Sequence, residues 1–246
     1  MTESAAEGEA LVRLDDVSRT FGDVSVLESI SLSLSANDVT AVVGPNGSGK
    51  TTLLRIVAGV LDVDGGTRAV LADAERPIGY LPQDPRFRPR FSVEETLRYY
   101  ADLLEADVDV DASIETVGLG RVRDRRVDQL SGGMRRLLGI AQSLLGDPPV
   151  VVLDEPTSGL DPRMREHVFE TIDAVAGPET AVVISSHDLA GVERTDHVVL
   201  IDGGTVRLAG TPAELLASSS GGSLTDAFLE AVAGGPTVRA SAGGER

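Results

Sequence analysis

One segment of eight residues limits the fold of this chain more than any other. Residues 44–51 read Gly-Pro-Asn-Gly-Ser-Gly-Lys-Thr, which is the spacing of a phosphate-binding P-loop. An apolar run at residues 39–43 predicts a buried strand before the loop, and residues 51–58 predict a helix after it. In such a turn, backbone N–H groups and the helix N-terminus surround a phosphate. We therefore predict an α/β nucleotide-binding core; the alternative is a glycine-rich surface turn.

Lys50 is the only lysine of the chain, and arginine supplies every other permanently basic side chain. An ammonium group is a point charge that fits between phosphate oxygens, whereas the planar fork of arginine fits a tight cradle poorly. We therefore predict that Lys50 binds the β- and γ-phosphates and acts as a catalytic residue. The other residues predicted to bind the nucleotide here are Gly44, Pro45, Asn46, Gly47, Ser48, Gly49, Thr51 and Thr52.

Two carboxylates follow a second apolar run. Residues 150–153 predict a strand buried in a parallel sheet, and Asp154 and Glu155 come directly after it. In P-loop NTPases an aspartate at this place holds Mg²⁺ together with the P-loop hydroxyl, here that of Thr51. Glu155 stands where ligands of open α/β sheets bind, so it can polarise the attacking water. A helix cap or a turn is the alternative, which the upstream P-loop disfavours.

Two further positions are candidates for phosphate contact. His187 follows residues 182–186, Val-Val-Ile-Ser-Ser, at the end of a predicted buried strand, and it can donate a hydrogen bond that fixes the γ-phosphate, the water and Glu155. Its alternative is a solvated or structural histidine. Ser131, Gly132 and Gly133 precede a predicted helix and predict a second anion site, or else a flexible turn with an N-cap.

Taken together, these residues resemble the nucleotide-binding subunit of an ATP-binding cassette (ABC) transporter. The resemblance covers residues 11–215, and the Leu-Ser-Gly-Gly motif at residues 130–133 is specific to this class. It implies an ATP-hydrolysing homodimer arranged head to tail. Each ATP would lie between the P-loop of one subunit and Ser131, Gly132 and Gly133 of the other.

The resemblance also implies roles for residues outside these motifs. Gln83 is similar to the loop glutamine that contacts Mg²⁺ and the attacking water and links to the membrane partner. Asp161 is similar to the aspartate of the loop that communicates between the two sites. Phe21 is similar to the aromatic residue that stacks on adenine, although tyrosine is commoner there. ATP and Mg²⁺ are thus the implied cofactors.

One departure from the family bears on its branch. Met134 stands where glutamine is commoner, and a thioether cannot hydrogen-bond like an amide. The sequences of residues 131–136 and of the tail segment 223–230 are similar to those of exporter-type ATPases that pair with a separate permease chain. The implied partner is therefore a transmembrane permease, and the implied location is peripheral, at the cytoplasmic face of the cell membrane.

The predicted fold class is α/β, with a P-loop NTPase core of mostly parallel strands, an N-terminal antiparallel β-layer and an inserted helical subdomain. We assign residues 1–217 to the ATPase domain, with the helical subdomain at about 85–145 touching the permease, and residues 218–246 to a linker, a short helix and a disordered tail. The predicted strands of the first layer are 11–14 and 31–34, and a hairpin is predicted over 198–208. The predicted helices beyond the P-loop are 93–105 with a Ser92–Glu95 capping box, 114–119, 132–145, 163–175 and 224–232.

Composition narrows the function classes. The net charge of −17 is spread over the chain, which disfavours direct nucleic-acid binding and suggests adaptation to a salt-loaded cytoplasm. The absence of cysteine excludes disulfides and thiolate metal sites. No apolar run is long enough to span a membrane, so we expect a soluble chain unless a partner holds it there. The alternatives are a soluble ABC ATPase acting on DNA repair, ribosomes or iron–sulfur assembly, and a nucleotide-binding scaffold without turnover.

Overall fold

The computed structural model describes residues 10–104, 108–187, 189, 191–233 and 238–239. In chain order its elements are β1 (Ala10–Phe21), β2 (Val24–Ser35), β3 (Val39–Val43), α1 (Lys50–Val57), β4 (Gly65–Val70), β5 (Ile78–Leu81), α2 (Val93–Ala101), α3 (Val110–Thr116), α4 (Gly132–Leu144), β6 (Val150–Leu153), α5 (Pro162–Val175), β7 (Ala181–Ser186), β8 (His197–Asp202), β9 (Thr205–Gly210), α6 (Pro212–Ser218), α7 (Leu224–Val232) and β10 (Val238–Arg239). Within these ranges no helix is long and apolar enough to cross a membrane.

A mostly parallel sheet forms the centre of the molecule. In the described part of the chain its order is β10-β9-β8-β3-β7-β6-β5, and the five strands β8, β3, β7, β6 and β5 run parallel to one another. Strands β3, β6 and β7 are buried along their whole length, as their continuous apolar runs predict for strands covered on both faces. Because parallel strands end at the same edge, the residues that follow these three strands meet there.

A second, antiparallel sheet covers one face, as the sequence predicts. Its order is β2-β1-β4, and the apolar residues that alternate along β1 and β2 pack with α1 into one core. Strand β4 was not predicted, because its Gly65-Gly66 pair reads as a turn. The β8–β9 hairpin is antiparallel, as predicted, and Gly203 and Gly204 connect its strands.

The other face carries the helical layer of α2, α3 and α4. The capping box at α2 forms as predicted, since Ser92 Oγ accepts from the Glu95 N–H while the Glu95 carboxylate accepts from the Ser92 N–H. Helix α2 ends at Ala101, and part of its predicted extension to residue 105 lies outside the described residues. The predicted bounds of the helix at 114–119 were wrong, since α3 begins at Val110 and ends at Thr116. Asp109 caps α3 earlier, and Gly118, at φ +72°, follows its end.

The C-terminal region differs in two respects from the prediction. Helix α6 was not predicted, although Thr211 and Glu214 form a capping box there. The tail was predicted to be disordered, yet Val238–Arg239 pair in parallel with β9. An edge strand has free backbone groups that any short extended segment can bind, so this pairing needs no side-chain pattern. Helix α7 is confirmed, and it buries Leu224 and Phe228.

Candidate functional site

Two glycines let the P-loop pack closely against two strands, β2 and β8. A Cβ on Gly49, where φ is +106°, would lie 2.6 Å from Leu27 Cδ2 and 2.9 Å from the Val26 carbonyl oxygen of β2. A Cβ on Gly44 would collide with the carbonyl oxygen of Ile201 in β8. Gly49 is also the N-cap of α1 and provides no side-chain cap, so the first N–H groups of the helix stay available to an anion.

Lys50 is folded back into the loop. Its Nζ donates to the carbonyl oxygens of Gly44, at 2.9 Å, and Pro45, at 3.1 Å, and lies 4.0 Å from Glu155 Oε1. Burial lowers the pKa of Lys50, and the carboxylates of Glu155 and Asp154 act in the opposite direction. The ammonium group therefore sits within the cradle, where a phosphate would find a positive charge already in place.

Asp154 meets the P-loop hydroxyl at the end of β6. Its Oδ1 accepts from Thr51 Oγ1, at 3.2 Å, and from Ser185 Oγ, at 2.6 Å. The carboxylate is fully buried, and neither its Oδ2 nor Ser48 Oγ has a hydrogen-bond partner within the described residues. A buried carboxylate oxygen without a partner is costly unless a cation or donor satisfies it. Mg²⁺ prefers oxygen ligands and uses few carboxylates alongside phosphates, so this donor set fits it.

Glu155 and His187 form a close pair beside Asp154. Glu155 Oε2 lies 2.5 Å from His187 Nδ1, and the glutamate side chain is only 6% exposed, against 44% for the histidine. Glu155 has φ +53°, a left-handed conformation that is uncommon outside glycine, and its N–H donates to Ser185 Oγ at 2.8 Å. The structure thus brings Lys50, Glu155 and His187, the three predicted catalytic residues, to one edge of the sheet.

Gln83 and Phe21 lie outside the hydrogen-bond network of this edge. The carbonyl oxygen of Gln83 accepts from Arg136 Nη1 of α4 at 3.0 Å, while its exposed side chain makes no described bond to Thr51 or Asp154. Phe21 ends β1 and is 48% exposed, with the Arg19 guanidinium 5.0 Å from its ring centroid. The metal role of Gln83 and the adenine-stacking role of Phe21 therefore stay predictions.

The second predicted anion site stands apart from the first. Ser131 is the N-cap of α4, its Oγ accepts from the Met134 N–H at 3.2 Å, and Ser131 and Gly132 are exposed. Gly133 packs against Met164 of α5. No hydrogen bond among the described residues joins these residues to the P-loop of the same chain. Asp161, the predicted communicating residue, caps α5 by accepting from the N–H groups of Arg163 and Met164.

Sequence reasoning missed two residues at this site. Ser185 bridges Asp154 and Glu155, and a polar residue near the end of an otherwise apolar run was the available signal. Arg136 holds the Gln83 loop. Burial lowers its pKa, while the Asp154, Glu155 and Asp84 carboxylates act in the opposite direction. Its position two residues after Met134 in the sequence gave no hint of this contact.

Comparison with known proteins gives concordant results. A profile of the family described as "ABC transporter" matches residues 27–158. The chain is 31% identical over 234 residues to the Nod factor export ATP-binding protein I of Paraburkholderia xenovorans (strain LB400), which covers 89% of this chain and 77% of the relative.

Solved structures show the same architecture. An ATP-binding subunit of an ABC transporter superposes with a TM-score of 0.78 at 25% identity, covering 90% of this chain and 99% of the other. A bacterial ABC transporter cassette with a dimeric structure superposes with a TM-score of 0.72 at 21% identity, covering 81% and 98%. At that lower identity the likeness concerns the fold alone.

Proposed function

This chain belongs to the ABC transporter family as an ATP-binding, ATP-hydrolysing subunit, and we propose that the edge where β3, β6 and β7 end is its Mg²⁺-dependent catalytic site. The observation that carries the proposal is the convergence of the P-loop, Asp154, Glu155 and His187 there. Lys50 lies 4.0 Å from Glu155, and Glu155 lies 2.5 Å from His187. A protein that bound nucleotide without hydrolysing it would not need the Glu155–His187 pair.

The P-loop residues bind and orient the phosphates. The free N–H groups of the loop and of α1 donate to phosphate oxygens, and Lys50 exchanges its carbonyl partners for the β- and γ-phosphates. Thr51 and Asp154 would hold Mg²⁺, with Gln83 as a further ligand, and the ion would neutralise phosphate charge when bound. Phosphoryl transfer leaves little covalent chemistry to the protein, so position and charge are its main contributions.

Glu155 and His187 act on the attacking water. The buried carboxylate of Glu155 orients the water and accepts its proton, while His187 fixes both the glutamate, through Nδ1, and the γ-phosphate. The low exposure of Glu155 keeps bulk water from competing for its oxygens.

The exposed N-terminus of α4 completes the site of a second copy. Ser131 and Gly132 offer a hydroxyl and helix N–H groups to an anion, and the P-loop of their own chain already encloses one. A head-to-tail sandwich dimer therefore uses both sites. Asp161 caps α5, whose Met164 contacts Gly133, and this contact supports a role for Asp161 in communication between the two sites of a dimer.

The named relative favours transport over the soluble alternatives, and it favours the exporter branch. That protein is named for export, and residues 131–136 of this chain, which include Met134, are similar in sequence to exporter-type ATPases. The proposed assembly is a homodimer of this chain at the cytoplasmic face of the membrane, bound to a separate permease. Within it, residues 1–217 form the ATPase domain and residues 218–246 an appendage with α7 and a tail.

The permease would dock on the helical subdomain at about residues 85–145. This region carries a surface that we call the arginine patch, formed by Arg88, Arg90, Arg121, Arg125 and Arg126. All five are exposed, and backbone bonds from Val93 to Arg125 and from Val127 to Phe91 hold their two segments together. None of them pairs with a carboxylate in the described ranges. A group of exposed arginines on a chain of net charge −17 fits an acidic segment of the permease, and it does so although Asp124 and Asp128 are exposed in the same stretch.

Charge reversal in the arginine patch tests this docking. We expect Arg88→Glu with Arg125→Glu to lower the fraction of the chain that sediments with permease-containing membranes at least about tenfold, because charge reversal replaces attraction to permease carboxylates by like-charge repulsion. ATP hydrolysis by the isolated chain should not change. Arg13→Glu, an exposed reversal on β1, is the control and should sediment like wild type. Equal sedimentation of both variants would exclude the arginine patch from the interface.

The dispersed acidic charge leads us to propose a halophilic source. In molar KCl the Debye length is about 3 Å, so repulsion between the carboxylates is screened. We expect the melting temperature to rise by at least about 4 °C between dilute buffer and molar KCl, equivalent to about 1–2 kcal/mol. Thermal melts across KCl concentrations measure this, with betaine at equal osmolality as an uncharged control. A melting temperature that is flat or falls with KCl would reject the halophile proposal.

A further inference from the structure

Ser185 occupies a position between the two acidic residues of the site. It lies in β7 next to β6, is fully buried, and follows four apolar residues of the same strand. Its hydroxyl donates to Asp154 Oδ1 at 2.6 Å and accepts from the Glu155 N–H at 2.8 Å. Both partners of this buried hydroxyl are therefore atoms of the catalytic edge.

The hydrogen bond to Glu155 stabilises an uncommon backbone conformation. Glu155 holds φ +53°, and a residue other than glycine pays about 1–3 kcal/mol for a sparsely populated backbone conformation unless its surroundings enforce it. The N–H of a residue in this conformation points away from the direction it takes in a continuing strand. Ser185 Oγ accepts that N–H and so fixes the start of the side chain that reaches His187.

The hydrogen bond to Asp154 orients the carboxylate of that residue. Ser185 and Thr51 both donate to Oδ1, so Oδ2 is the carboxylate oxygen left without a partner in the described residues. The hydroxyl of Ser185 thereby decides which oxygen of Asp154 stays available to a cation. One side chain thus orients a metal-binding carboxylate and a water-activating carboxylate together.

We propose that Ser185 is a positioning residue for ATP hydrolysis, which sets the rotamer of Asp154 and the backbone of Glu155. This inference rests on the proposed function, because it assigns Ser185 to the same reaction. A purely structural role is a poor account of it, since an apolar residue would continue the buried run of β7 without needing two polar partners.

The test compares variants that differ in one hydroxyl. Ser185→Ala removes it, and Ser185→Thr against Ser185→Val gives an isosteric pair in which only threonine retains it. We expect the Ala and Val variants to lose about 10- to 100-fold in kcat with the KM for ATP nearly unchanged, as for other groups that orient ligands of a site, and Thr to recover part of the loss. Ser143→Ala is the matched control, because Ser143 is equally buried and, among the described residues, its hydroxyl donates only to the Ile140 carbonyl oxygen of the same helix, α4.

Amide hydrogen exchange gives a readout independent of turnover. In nucleotide-free protein, exchange at the Glu155 amide should be about tenfold faster in the Ala and Val variants than in wild type, and close to wild type in the Thr variant and in Ser143→Ala. Unchanged exchange at Glu155, or a kcat within about twofold of wild type in both the Ala and Val variants, would overturn the role of Ser185. Absence of ATP turnover in the wild-type chain would instead refute the proposed function and leave the exchange result standing.

Discussion

Glu155→Gln is expected to slow single-turnover ATP hydrolysis by about 10²–10⁴-fold, the usual contribution of a positioned general base, while ATP binding persists. Glutamine keeps the shape of the side chain but provides no basic oxygen for the proton of the water. The P-loop contacts of Lys50 and the capping role of Ser131 are untouched by the change. ATP should therefore accumulate in a closed dimer that cannot discharge it. Rapid-quench hydrolysis and the solution mass with and without ATP measure both effects.

A matched control separates catalysis from charge. Glu75→Gln removes one exposed carboxylate that has no ion pair in the described part of the chain, so it should hydrolyse ATP like wild type and dimerise no more strongly. If Glu155→Gln hydrolyses ATP at an undiminished rate, Glu155 has no part in the mechanism. If its hydrolysis falls without ATP-driven dimers, the sandwich arrangement lacks support.

Ser131→Arg is expected to leave nucleotide binding by the single chain nearly intact and to abolish ATP-driven dimerisation and turnover. The P-loop and Lys50 still cradle the phosphates, whereas a bulky cation replaces an exposed hydroxyl that the account places in a closed interface. Loss of an N-cap alone costs only about 0.5–2 kcal/mol. Ser223→Arg at the N-cap of α7 controls for that cost and should keep full turnover. Strong ATP-driven dimers of Ser131→Arg would reject the trans role.

The edge of the sheet could be predicted because its signals are local. The apolar runs of β3, β6 and β7 identify buried parallel strands, and parallel strands bring the P-loop, Asp154, Glu155 and His187 to one edge. Burying the carboxylates of Asp154 and Glu155 without partners would cost free energy, so their position indicates a binding or catalytic role. Length and composition added only the absence of a membrane-spanning run and the acidic surface.

What could not be predicted depends on register between distant segments. Ser185 reaches Asp154 across 31 positions and Arg136 reaches Gln83 across 53, so neither contact leaves a periodic signal in the sequence. Helix α3 was misplaced because Asp109 and Gly118, rather than the apolar spacing, set its limits. Strand β10 was missed because edge pairing uses backbone groups alone.

Mixing two inactive variants tests whether two copies of this chain share each ATP site. Lys50→Ala lacks the ammonium of the P-loop, and Ser131→Arg disrupts the proposed second anion site. Their heterodimer pairs an intact Lys50 with an intact Ser131 at one of its two sites. A heterodimer of Lys50→Ala with wild type also contains one intact site and serves as the reference. If the sites are shared, turnover is absent in each variant alone and returns on mixing to the level of that reference. Turnover that stays absent in heterodimers shown to form, while the reference hydrolyses ATP, would show that the sites are not shared and that both motifs act within a single chain.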